Sequence, residues 1–71
     1  KFEIVERVGV LGDGGRGWTT ELNRVSWNGR PPKYDIRAWD PSHGRMGKGV
    51  TLDDAEAAKL LERLAARFGA K

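Results

Sequence analysis

At Thr51 the spacing of apolar residues changes, and that change sets most of what the chain can fold into. Before it, apolar side chains recur every second residue, the period of a half-buried strand. After it, Ala57, Leu60, Leu61, Leu64 and Phe68 fall three or four apart, which places them on one face of a helix. The first part divides at its turn residues. "FEIVERVGVLG" predicts a strand over about 2–11, with Phe2, Ile4, Val8 and Val10 on its apolar positions. "GDGGRG" interrupts it. "WTTELNRVSWN" predicts a strand over about 18–28, and "KYDIRAWD" another over about 33–40, separated by a "GRPP" turn whose prolines cannot donate ladder hydrogen bonds. "DPSHG" is a further turn, followed by a short Gly-containing strand over about 45–50. The helix is expected over about 52–68, with Thr51 as N-cap, Asp53, Asp54 and Glu56 in its first turn, and Gly69 as its stop. The expectation is an α+β domain, a four-stranded antiparallel meander covered on one face by a C-terminal helix.

Seventy-one residues suffice for one small domain, treated as a single unit over 1–71. Such a domain buries a modest core, and dimerisation is one way to bury more. With 38% apolar and 32% charged residues the chain falls in the globular rather than the disordered class. No run of about 18 apolar residues suggests a membrane span, and no signal-peptide pattern opens the sequence, which starts at Lys1 without a Met. Cys is absent, so disulfides, thiolate chemistry and cysteine-ligated zinc are excluded, and a cytoplasmic protein is the simplest expectation.

The charge is unevenly placed. Residues 1–50 carry nine Arg or Lys against six Asp or Glu, whereas 51–71 carry four of each. Within 24–48 the bases Arg24, Arg30, Lys33, Arg37, Arg45 and Lys48 face only Asp35 and Asp40. Basic residues interleaved with Trp27, Tyr34 and Trp39 form the pattern of a nucleic-acid surface. If the turn comprises residues 29–32, Asn28 pairs with Lys33, and alternation then sorts the side chains. Trp27, Tyr34, Val25, Ile36, Asn23 and Ala38 share an apolar face. Leu22, Trp39, Arg24, Arg37, Ser26, Asp35 and Trp18 share a basic and aromatic one, suited to bases stacking on rings while cations follow the phosphates. A one-residue slip would exchange the faces.

Other motifs carry less. "GDGGRG" matches G-x-G-x-x-G, but a dinucleotide site needs it between a strand and a helix; here it lies between two strands and reads as a flexible loop. His43 with Asp35 and Asp40 is a thin basis for a metal, so none is expected. Ser26, Ser42 and His43 have no spacing that demands a catalytic triad. A hydrolase using Asp40 and His43, and a module gripping an acidic protein, are the rivals from other classes.

Taken together, "ELNRVSWNGRPPKYDIRAWDP" and "MGKGVTLDDAEAAKLLERL" resemble the positive cofactor four (transcriptional coactivator p15) family, nearest its bacterial YdbC-like branch. The resemblance spans nearly the whole chain, and "YDIR" (34–37) and "GKGVTL" (47–52) are its most specific pieces. It implies a homodimer of curved sheets whose concave surfaces bind single-stranded DNA with little sequence preference, without catalysis, cofactor, membrane or small-molecule substrate. RNA is the nearer alternative partner. It implies further that Arg37 and Lys48 fall on DNA-contacting positions, Trp39 at or beside a stacking aromatic, and Ser26 and Asn28 in the hairpin that approaches the strand. Arg24, Lys33, Arg45 and Trp18 complete the expected surface. The "GRPP" tip departs from the more basic, aromatic tip of the family.

Overall fold

A computed structural model describes residues 1–69. The elements are β1 (Phe2–Gly15), β2 (Trp18–Trp27), β3 (Lys33–Trp39), β4 (Met46–Leu52) and α1 (Asp54–Phe68). The four strands form one antiparallel sheet in sequence order, as expected, and the single helix follows.

The first strand runs past its expected end, through the glycine-rich stretch to Gly15. The turn shrinks to Arg16 and Gly17, both at positive φ (55° and 81°), a pair that matches the twist of the flanking strands. The "GDGGRG" segment is therefore mostly strand and not a flexible loop. It escapes a period-two reading because β1 is bulged. Its register against β2 slips after Ile4, Arg7, Val10 and Asp13, leaving Val5, Val8, Leu11 and Gly14 opposite nothing. Fourteen residues thus lie beside ten. Repeated bulges bend a strand and raise its twist.

The β2–β3 connection corrects the expected register. The tight turn is Asn28–Gly29, with φ of 54° and 76° and the Arg30 N–H donating to the Trp27 carbonyl at 3.0 Å. Pro31 and Pro32 follow it, and the ladder resumes only at Lys33. Lys33 pairs with Val25 rather than Asn28, Tyr34 with Arg24, Ile36 with Leu22 and Arg37 with Glu21. Ser26 and Trp27 pair with β1 instead, opposite Glu3 and Phe2. The offset is three residues, an odd number, so β2 keeps its alternation while β3 presents the opposite set. Glu21, Asn23, Val25 and Trp27 now share a face with Lys33, Asp35, Arg37 and Trp39. Leu22 and Arg24 share the other with Tyr34 and Ile36.

The helix lies on the Leu22–Ile36 side, where Leu22, Tyr34, Ile36 and Leu52 face Ala57, Leu60, Leu61 and Leu64 across an apolar cavity of about 560 Å³. Among the described residues, only the sheet's own side chains and the adjoining loop cover the opposite face. Val25, Asp35 and Trp39 are nevertheless fully buried there. The sheet therefore curls toward that face and wraps its own side chains, so this face is concave.

At the helix start the N-cap is Asp53, not Thr51, because β4 continues to Leu52. Asp53 and Glu56 form a reciprocal capping box, the Glu56 N–H donating to Asp53 Oδ1 at 2.7 Å and the Asp53 N–H to Glu56 Oε1 at 3.0 Å. The helix ends at Phe68, and the Gly69 N–H reaches back to the Ala65 carbonyl.

Candidate nucleic-acid interface

Three aromatics gather on the concave face. Phe2, from the start of β1, sits 6.0 Å from the Trp27 ring and 5.2 Å from the Trp39 ring. His43, from the loop before β4, stacks on Trp39 at 5.8 Å. Trp39 is thereby enclosed, 0% exposed, and the exposed platform expected of it is corrected: its ring is core in this chain. Trp27, expected in the core, is half-buried and lies at the surface of the concave side. Both changes follow from the odd offset in the hairpin.

Around Trp27 runs a groove of about 340 Å³ lined by Trp27, Arg30, Pro31, Lys33, Arg37 and Thr51. The Arg37 guanidinium lies 4.9 Å from the Trp27 ring centroid, a cation–π distance. Arg37 donates to both carboxylate oxygens of Asp35, at 2.7 and 2.9 Å. Thr51 donates to the same carboxylate from β4 at 2.9 Å. Arg30 and Lys33 are exposed and form no ion pair among the described residues.

A second polar cluster lies nearer the far end of the sheet. The buried Glu21 carboxylate accepts from Thr19, from Asn23 Nδ2 at 3.0 Å, and meets His43 Nε2 at 2.9 Å. Burial pushes this carboxyl up, but the hydrogen bonds of Thr19, Asn23 and His43, with the histidine's charge, outweigh it and hold it below the ordinary Glu range. Asp40 closes the adjoining turn. Its carboxylate accepts the Arg45 N–H and the Ser42 hydroxyl, each at 2.9 Å, and the Arg45 N–H is the main cause of a lowered pKa. Asp40 is thus occupied by its turn while His43 faces Glu21, an arrangement that offers no Asp40–His43 pair for hydrolysis. Among the described residues no group of three or more metal-ligating side chains converges, and no helix is long and apolar enough to cross a membrane.

The expected site residues divide accordingly. Arg37 and Lys33 line the groove. Lys48 is exposed on β4, where the register against β3 slips between Arg37 and Trp39, and Arg45 is exposed at the end of the preceding loop. Asn28 occupies the turn, its Oδ1 3.0 Å from the Lys1 nitrogen. Three others lie on the helix-side face. Arg24 rests on Tyr34 at 5.2 Å and reaches the Pro32 carbonyl. Ser26 donates to the Arg30 carbonyl at 2.7 Å. Trp18 lies near Gly47, beside Ala38. Trp27, Arg30, Pro31 and Thr51 also line the groove and lie outside the expected set. The Asn-Gly dipeptide, the strongest short hairpin signal, would have set the register that exposes them.

Two comparisons bear on this surface. The family model described as Transcriptional Coactivator p15 (PC4) matches residues 15–63, which include all of the groove's lining. A protein of Treponema pallidum (strain Nichols), itself described as an uncharacterized protein, is 52% identical over 63 residues, covering 89% of this chain and 74% of its own length.

Proposed function

The chain belongs to the Transcriptional Coactivator p15 (PC4) family, and from that membership we propose that it binds single-stranded DNA on its concave face, without catalysis and with little sequence preference. The observation that carries the reading is the groove itself, where a half-buried indole is flanked by the free cations Arg30 and Lys33. An aromatic ring accepts any base, and cations at its rim meet the phosphates. Lys48 on β4 and Arg45 just before it add further exposed positive charge. Trp27 takes the platform role that the sequence assigned to Trp39, while Trp39 supports it from beneath through Phe2.

The functional unit is a homodimer. Every apolar residue of α1 keeps solvent exposure in the single chain, with Leu61 at 70% and Phe68 at 82%. A second copy is the occupant that buries this stripe and fills the cavity over Leu22 and Ile36, leaving both concave faces open. A role in transcription or DNA maintenance in the cytoplasm or nucleoid fits such a module.

Fluorescence anisotropy with a labelled oligo-dT of about 20 nucleotides tests the reading. Binding should weaken as salt rises, and Trp27→Ala should lose about 1–3 kcal/mol, the stacking contribution of one base. Absence of binding at low salt overturns it. Competition with oligo-U separates DNA from RNA, which differ by the 2′-hydroxyl.

A further inference from the structure

Arg37 looks like a phosphate ligand, but its surroundings leave it little freedom to act as one. Nε and Nη2 are committed to the two oxygens of Asp35, which is 0% exposed. Nη1 points to Met46 Sδ at 3.5 Å and the Gly47 carbonyl at 3.4 Å, both on β4. Gly49, directly opposite Arg37, has no room for a Cβ, so the β4 backbone lies against the arginine. The guanidinium is held by β3 and β4 with the Trp27 ring beside it. Its charge is matched at 2.7 Å by a carboxylate. By contrast, Arg30 and Lys33 project from the same groove without an ion pair.

We infer that Asp35 and Arg37 are positioning residues: Asp35, braced by Thr51, clamps the Arg37 guanidinium against Trp27 and so fixes the ring on which a base stacks. The phosphates are met by Arg30 and Lys33 instead. The inference rests on the single-stranded DNA reading for its effect on binding, but the clamp itself is measurable without DNA.

The two roles predict opposite signs for one substitution. Asp35→Asn removes a negative charge from the floor of a DNA-binding groove. If Arg37 acts through its charge, that change tightens binding and steepens the salt dependence. If Arg37 acts by holding Trp27, the same change loosens the fork and weakens binding. We expect Asp35→Asn and Arg37→Lys each to bind oligo-dT at least about fivefold more weakly, the lower end of one base's stacking. Over about 50 to 200 mM salt their slopes of log K against log salt should match the wild type. Lys33→Ala should instead lower that slope by roughly 0.7, the single-strand value for one phosphate charge.

Tighter binding by Asp35→Asn, or full affinity in Arg37→Lys, overturns the inference. If Asp35→Asn no longer melts cooperatively, Thr51→Val takes its place, since it loosens the carboxylate and leaves every charge intact. Weaker binding at an unchanged slope supports the clamp, and unchanged affinity overturns it. In the free protein, the Trp27 indole N–H resonance, assigned by its loss in Trp27→Phe, should broaden or split in the clamp variants. An indole signal as sharp as the wild type's overturns the clamp even if no DNA binds. A wild type that ignores oligo-dT while its clamp variants lose indole order sinks only the functional reading.

Discussion

Gly49 shows how much can depend on a missing side chain. A Cβ there would overlap Arg37 Cβ and the Ile36 carbonyl oxygen, so the two strands must part or the arginine must leave its fork. Gly49→Ala should therefore destabilise the fold by about 1–3 kcal/mol, the usual cost of overpacking, read as a lowered urea midpoint. Glu21 makes a pH prediction of definite sign. Its folded pKa lies below the ordinary value of 4.5, so between the two values the unfolded chain binds more protons. Its contribution is full above pH 4.5 and is lost as pH falls through the folded pKa. Asp40, also lowered from 3.8, acts in the same direction. The melting temperature should drop on acidification below about pH 4.5, and Glu21→Gln should flatten that drop. A curve of Glu21→Gln parallel to the wild type's would contradict the assignment.

At the scale of elements, the β2–β3 hairpin decides which residues meet. Asn28 and Gly29 both take left-handed backbone, which β-branched residues resist. Asn28→Val should cost roughly 1–2 kcal/mol by thermal melting, whereas Asn28→Gly should stay within a few tenths of wild type. The same turn explains what was legible in the sequence. Strand order, the helix and the local alternation of β2 and β3 follow from spacing alone. The register between strands does not, because it is fixed by where the turn starts. Placing the turn on Gly-Arg-Pro-Pro rather than Asn-Gly shifted β3 by three and exchanged Trp27 with Trp39. The cap is a milder case: Asp53 and Glu56 carry the capping-box spacing openly, and Thr51 misled only because β4 extends past it. The bulges of β1 hide its true faces, since each extra residue flips the alternation: Phe2, Ile4, Val8 and Val10 read as one period-two set, yet Val8 is a bulge residue with no partner on β2. Lys33 and Arg37 line the groove together because, four residues apart, they lie on the same face of β3 whatever its register.

For the molecule as a whole, the balance of buried surface is uneven. The concave side closes on itself, while the helix side leaves Leu60, Leu61, Leu64, Phe68 and Val50 in water. A domain of this size gains much from covering such a stripe. If the proposed dimer forms through this stripe, Leu61→Glu should leave only monomer in sedimentation equilibrium and lower the melting temperature at a given concentration. It should also weaken binding to long oligo-dT more than to short, because two linked grooves hold one strand with greater avidity. A wild-type monomer at tens of micromolar would contradict the dimer.

The gathered edge of β1 bears on polymerisation. An exposed strand with Val5, Val8, Val10 and Leu11 in solvent is the kind of template on which foreign chains stack into fibres. An incoming flat strand advances in steps of two, but β1 keeps step for only two or three residues before a supernumerary one intervenes. Each match is broken before it can propagate. The chain can thus expose a long apolar margin that offers no continuous template for an incoming strand.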